Sequence, residues 1–479
     1  MSRTARVHAP RLLSVAALVL ALVCTACGGA PRPDAPGQAT PPPTDDGTPR
    51  VVIDASQRFQ TITGWEATAQ AGQDLNAAYP AYRNALLDAA VDDLGLDRLR
   101  VELRSGSEYS SDPYGGMVAG QVTYEQWRAV RYATVNDNND PFVLNERGFW
   151  FTELDNEIER VVIPMRERLE ARGRRLFVSI CYVSFTGNVP DSQYHHQNPE
   201  EYAEFVQATF LHLSRKYGIV PDAWEMILEP DNSPRWTASF LRQAMVATGN
   251  RLTAMGLSPG LIAPSTTNMS NAVSYADVIA RDGLPRLWST LSYHRYSGVS
   301  DETLQAIAAR GRQWGIQTAM LEHIGSGYET LHQDLKVGNN SAWQQFILVV
   351  PGEPDNGSMY FTVDASNPMA PRVSPAVRTP ALAQYFRYIR SGAVRIAATG
   401  SDAAFDPVAF VNPDGKQVVV VRATRNGSVV VQGLAAGAYE VTYTTGSQAN
   451  VRVATMSVGA ADTMRVTIPD RGAITIAGT

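Results

Sequence analysis

Ala223-Trp224-Glu225-Met226-Ile227-Leu228-Glu229-Pro230-Asp231-Asn232 is an apolar run that ends on an acid and a turn. Gln317-Thr318-Ala319-Met320-Leu321-Glu322-His323 repeats that pattern further along the chain. A short apolar run bounded by turn-forming residues reads as a buried strand. A carboxylate at its end is costly to bury unless it is paired or used. Two such acids, closing separate parallel strands, suit acid and nucleophile work on a glycosidic bond.

Outward from these two runs, strands alternate with helices from about residue 60 to 390. Strand candidates are 61–67, 98–103, 176–183, 223–229, 261–265, 289–296, 317–322 and 358–364. Amphipathic stretches at 82–94, 154–172, 199–217, 238–255, 303–314 and 342–350 read as helices. Eight strands alternating with helices predict a (β/α)8 TIM barrel over 60–390. From Gly392 onward the runs become short and alternating, broken by Pro413-Asp414-Gly415 and Asn426-Gly427. That pattern predicts a C-terminal antiparallel β-sandwich over 391–479. Val51-Val52-Ile53 marks a strand within 50–59, ahead of the barrel.

The link from Ser105 to Glu153 is long for a compact domain and falls on the barrel's C-terminal face. Its aromatic residues, Tyr109, Tyr114, Tyr124, Trp127, Tyr132, Trp150 and Phe151, either form a sugar platform or pack the loop down.

The first 27 residues read as a leader. Arg3, Arg6 and Arg11 precede an apolar stretch from Leu12 to Val23, too short to span a membrane. Cys24-Thr25-Ala26-Cys27-Gly28-Gly29 resembles a bacterial lipobox, with Cys27 as the lipidated residue and Cys24 where the pattern prefers Leu. Residues 28–49 are a Pro-rich tether with almost no bulky apolar side chain. The expected location is extracytoplasmic, with the chain held to a membrane by a lipid. Cys181 then remains the only unlipidated cysteine, which leaves stability to the core. A net charge of −6 excludes a basic nucleic-acid footprint. The cations are nearly all Arg, with Lys only at Lys216, Lys336 and Lys416.

From about 50 to 470 the chain resembles glycoside hydrolase family 30. The matching pieces run in order: Phe59-Gln60-Thr61-Ile62-Thr63-Gly64-Trp65-Glu66-Ala67, Leu99-Arg100-Val101-Glu102, Leu228-Glu229-Pro230, His294-Arg295-Tyr296 and Met320-Leu321-Glu322. Tyr388 to Ile396 and Val408 to Gly415 complete the set. The resemblance implies a retaining β-glycosidase on a (β/α)8 barrel, with a side β-sandwich that includes an N-terminal strand. Glu229 would be the general acid/base and Glu322 the nucleophile. No cofactor or metal is implied; the substrate would be a β-linked carbohydrate and the chain a monomer.

Arg98, Arg100 and Glu102 share one strand face, so Arg100 is placed to keep Glu322 charged or to pair with Glu102 or Glu225 in the barrel wall. His294 and Tyr296 alternate on one strand and point the same way, toward sugar and nucleophile by the resemblance. Trp65 either floors a sugar subsite or packs in the core. Related retaining enzymes usually carry Asn before the acid/base, holding the sugar's 2-hydroxyl. Here Leu228 stands there, and Asn232 is a candidate substitute donor. A catalytically silent carbohydrate-binding protein on the same scaffold is the alternative reading.

Three motifs are set aside. Gly256-Leu257-Ser258-Pro259-Gly260 matches G-x-S-x-G but joins a helix to a strand, the reverse of a nucleophile elbow. His195-His196 lacks metal-ligand spacing. Asn136-Asp137-Asn138-Asn139-Asp140 carries calcium-friendly oxygens without the EF-hand's Gly and distal Glu, and reads as a solvated turn.

Overall fold

A computed structural model describes residues 46–74 and 76–479. The expected leader with Cys27, and the tether as far as residue 45, lie outside the described residues. Strand β1 (Arg50–Thr61) comes first and stays out of the barrel. The barrel closes from β2 (Gly64–Thr68), β3 (Arg98–Arg104), β4 (Phe177–Val183) and β5 (Ala223–Glu225), then β6 (Gly260–Asn268), β7 (Trp288–Ser297), β8 (Gln317–Glu322) and β9 (Ala342–Ile347). All eight pair in parallel, and β9 returns to β2 with Trp343 opposite Trp65.

Period-two alternation sorts each strand. Leu99, Val101 and Leu103 of β3 join the core between strands and helices. Arg98, Arg100 and Glu102 take the other face, inside the barrel. A small apolar cluster of Ala223, Ile262, Ala319, Leu321 and Ala342 also fills the interior.

The helices have legible ends. In the helix Pro199–Tyr217, Asn198 caps Glu200 N, Pro199 starts the first turn, and Glu200 and Glu201 sit at its positive end. Arg215 and Lys216 occupy the last turn, and Gly218 closes it at φ 64°.

The eighth barrel strand is not where the sequence pattern put it. The expected strand 358–364 contains only β10 (Phe361–Asp364), which makes a two-stranded hairpin with β11 (Arg372–Pro375). The barrel strand is β9, inside a stretch expected to be helical. Trp343, Phe346, Ile347 and Val350 fall at helical spacing by coincidence. Gln344 and Gln345 between them are fully buried. Gln344 Nε2 donates to Thr68 Oγ1 at 2.8 Å, and β9 pairs with β2 and β8. Tertiary pairing overrides the local pattern.

The C-terminal strands are β12 (Val394–Gly400), β13 (Phe405–Val411), β14 (Gln417–Ala423), β15 (Gly427–Gln432), β16 (Gly437–Thr445), β17 (Val451–Val458), β18 (Met464–Ile468) and β19 (Gly472–Gly478). With β1 they form one nine-stranded sheet in the order β17-β16-β19-β14-β13-β12-β1-β15-β18. Val429 and Val466, near one end of that order, share an apolar cluster with Val441 and Ile476 near the other. The sheet therefore rolls over on itself, and the two layers of the sandwich are one ladder. β1 joins β12 antiparallel but β15 parallel, so the side domain is not wholly antiparallel.

Candidate active site

Regular pairing of β5 stops at Glu225, yet the chain keeps bonding its neighbours. Met226 N donates to Ile262 O, Leu228 N to Tyr182 O and Glu229 N to Ser265 O. Glu229 itself adopts φ 54° and ψ 61°, left-handed backbone that a residue with a Cβ rarely takes. Such strain persists where surrounding structure over-determines it, and it concentrates at functional sites. Here Asp231 anchors the turn, accepting from Thr267 N, Asn268 N and Asn271 Nδ2.

The turn aims Glu229 across the C-terminal mouth of the barrel. One oxygen meets His294 Nδ1 at 3.0 Å. The other accepts from Asn232 Nδ2 at 2.8 Å, and Asn232 also donates to Thr267 Oγ1. Burial pushes Glu229 up, but hydrogen bonds from His294 and Asn232 outweigh it and hold the carboxyl below its ordinary range. The buried His294 moves the other way: burial lowers it, and Glu229 with Glu322 more than restores it.

Glu322 ends β8 in extended backbone, just past a register shift against β7, and is held from two sides. Arg100 Nη2 donates to Oε2 at 2.5 Å, and Tyr296 Oη donates to Oε1 at 3.0 Å. Arg100 is fully buried; burial opposes its charge, but Glu322 and the neighbouring acids keep it protonated. It also reaches Glu102 at 3.3 Å. Arg100 thus contacts Glu322 and Glu102 at once. Glu225, fully buried nearby, is pushed up by desolvation against the pull of Arg100.

One oxygen of Glu229, one oxygen of Glu322 and one ring nitrogen of His294 lie within 4.8 Å of one another. Such a trio has the donor atoms for a cation. Arg100 already places a full positive charge on Glu322, which opposes a second one.

Trp65 takes the packing alternative and is not a sugar floor. It faces outward on β2, fully buried, stacked on Phe386 at 4.5 Å, with Nε1 donating to Ile389 O at 2.7 Å. The residue that points inward is its neighbour Glu66, paired with Arg98 at 2.9 Å. Leu228 is buried against Cys181 and Val183, with Tyr132 and Phe185 packed beside them. The position next to Glu229 thus presents an apolar wall.

Most aromatics of the 105–153 loop pack it down. Tyr114, Met117 and Trp127 make their own small core, and Trp150 Nε1 donates to Tyr109 O. Tyr132 alone joins the Leu228 cluster, its ring edge-on to Phe185 at 5.8 Å. Sequence reading missed Thr267, Asp231 and Phe185. The Thr266-Thr267-Asn268 run, polar residues closing a strand, was the available signal for the first.

Residues 392–476 match the family model for the glycosyl hydrolase family 30 beta sandwich domain. That match covers the side domain and leaves the barrel ahead of it outside the matched residues. A family 30 endoxylanase from Clostridium papyrosolvens superposes with a TM-score of 0.64 at 17% identity, covering 90% of this chain and 100% of that one. Family 30 xylanase C from Talaromyces cellulolyticus gives 0.61 at 17% identity, over 90% and 100%. An endo-β-1,6-glucanase gives 0.62 at 17% identity, over 90% and 94%. None of the curated proteins matches the chain in sequence. The sandwich match and the superpositions show that the chain shares its fold, barrel and side domain together, with these enzymes.

Proposed function

We propose that this chain is a retaining β-glycoside hydrolase, with Glu322 as nucleophile and Glu229 as acid/base. The observation that carries the reading is the approach of the two carboxylates to within 4.8 Å at the mouth of the barrel. Retaining pairs stand about 5–5.5 Å apart, whereas inverting pairs leave about 6.5–9.5 Å for a water. Arg100 and Tyr296 both donate to the Glu322 carboxylate and fix its position for attack.

Glu229 must supply a proton to the leaving oxygen. Glu229 is held low and His294 high, which biases a proton shared between them toward His294. A bound sugar displaces water and adds to the burial that pushes Glu229 up. The proton then crosses the 3.0 Å hydrogen bond to Glu229, which passes it to the glycosidic oxygen. After departure, Glu229 serves as base for the water that frees the sugar from Glu322.

The substrate in this proposal is an extracellular β-linked oligo- or polysaccharide, and the chain is anchored by lipid at Cys27. The support is the leader, lipobox and tether of the first 49 residues. No described helix is long and apolar enough to cross a membrane. Fatty-acid labelling that is lost in Cys27→Ser tests the anchor.

The mechanism is tested with a panel of aryl β-glycosides, following the first-formed anomer by NMR. A β product is expected, and an α product refutes the retaining assignment. A silent carbohydrate-binding protein is the second reading, favoured by the apolar Leu228 wall and the depressed Glu229. Binding without turnover across the panel would establish it.

A further inference from the structure

The loop that leaves β8 leads from the catalytic pair into a second cleft. Tyr296 Oη, which donates to Glu322, also accepts from Ile324 N at 3.4 Å. Gly325, the next residue, lines a cleft of 720 Å³. It lies three residues past Glu322, so the cleft opens within about 11 Å of that residue along the chain. The rim between the two sites carries Ile324 and Tyr296, 40% and 37% exposed, and is surface that a sugar chain can cross.

The barrel builds one wall of this cleft and the side domain the other. The helices Tyr328–Lys336 and Thr379–Phe386 follow β8 and β9, so both begin on the C-terminal face, where Glu229 and Glu322 stand. Facing them are the turn 445–449, between β16 and β17, and residues 470–472, where β19 begins. Glu329 Oε1 accepts from Arg471 Nη2 at 2.9 Å and ties the walls together.

The lining suits a saccharide. Tyr328 brings a half-buried ring. Gln448 Oε1 accepts from Tyr443 Oη at 2.7 Å, and the amide NH2 has no partner among the described residues. The Arg378 side chain runs past Gly327 and ends against Gly357, where an added Cβ would meet its Nη1 at 3.0 Å. Its guanidinium likewise has no partner among the described residues. The charged residues of the lining are two arginines, Arg378 and Arg471, and two acids, Glu329 and Asp470. That balance suits a neutral ligand rich in hydroxyls better than an anion. A ring beside a few free polar groups, in a cleft between domains, is how ligand sites are commonly built. We propose that this cleft is an accessory saccharide site, which takes the far end of a polymer held at Glu229 and Glu322 and makes the side domain part of substrate recognition. The proposal rests on the hydrolase reading and adds that the substrate is a long chain.

The test uses the whole protein with cello-, xylo- and gentio-oligosaccharides from dimer to octamer. In at least one series, kcat/KM and calorimetric affinity should both climb with chain length. Arg378→Ala with Gln448→Ala should cut that gain about tenfold. Gly446→Leu narrows the cleft from the side-domain wall, where nothing lies within 4 Å of an added Cβ, and should cut the gain without disturbing the fold. Rates are taken relative to an aryl β-glycoside in the same preparation, because damage to the fold or to the catalytic pair lowers both. A parent that binds long oligosaccharides without turnover removes the hydrolase reading, and the same variants then judge the cleft by affinity alone. The absence of any gain with length in all three series overturns the proposal. A gain that the variants keep intact overturns it as well.

Discussion

Glu229 and Glu322 close two strands of one barrel, yet they are held by opposite means. Glu322 stands on extended strand backbone, fixed by an arginine and a tyrosine. Glu229 stands on left-handed backbone past the end of a three-residue strand, and its partners are a histidine and an asparagine. The difference matches two chemical tasks. A nucleophile needs a constant charge, which a guanidinium supplies at any working pH. An acid/base needs a proton that can move, which an imidazole can share.

Removing Glu322 is the largest blow the contrast allows. Glu322→Ala should abolish turnover of every β-glycoside, because no covalent intermediate can form. Full activity in that variant would break the comparison outright. Arg100→Met comes next. It strips the cation from Glu322 and leaves Glu102 with Arg104 alone, and breaking a buried pair from one side costs about 3–5 kcal/mol. A drop in Tm with near-complete loss of activity is expected, measured by melting and kinetics side by side.

Glu229→Ala should fail selectively. Substrates with poor leaving groups should suffer most, and activated aryl glycosides least, since they need little protonation. Added azide should rescue turnover in part by attacking the glycosyl-enzyme. Equal loss across leaving groups would remove Glu229 from the acid role. Tyr296→Phe deletes one hydrogen bond to a charged group, worth about 1.5–3 kcal/mol, so kcat should fall roughly ten- to a hundredfold.

The smallest effect is on stability against pH. His294 is raised above its ordinary 6.5, so its contribution is complete below that value and fades as pH rises through the folded value. Glu229 is lowered from 4.5, so its contribution is complete above 4.5 and fades as pH falls through the folded value. The pair therefore stabilises most between about 4.5 and 6.5. His294→Gln should flatten Tm against pH in that window, and an unchanged profile would mean that the two do not share a proton.

What the sequence made legible follows the same divide. Arg100 and Tyr296 sit on strands where alternation fixes which way a side chain points, and Glu322 was legible as the acid that ends an apolar run although a register shift precedes it. Trp65 was ambiguous because both faces of a barrel strand are buried, and burial cannot say which face holds the ring. β9 was misread because two glutamines inside an apolar run looked like the polar side of a helix. Their partners, Thr68 and Gly357, are far away in sequence or on an irregular turn. The hydrogen bond from His294 to Glu229 joins residues 65 apart through a backbone conformation that no local pattern announces.

Strand β1 has a consequence for how the molecule is made. Its ladder partners β12 and β15 are synthesised long after it; Arg50 N, for example, bonds Ser401, 351 residues later. At about 5–20 residues per second, a ribosome needs roughly 20–70 s to deliver that partner. Throughout that interval the first strand of the chain has an open edge, and open edges recruit other chains. The sheet cannot be completed until β12 and β15 have been made, so a nascent chain held extended until they emerge has the safer route to this fold.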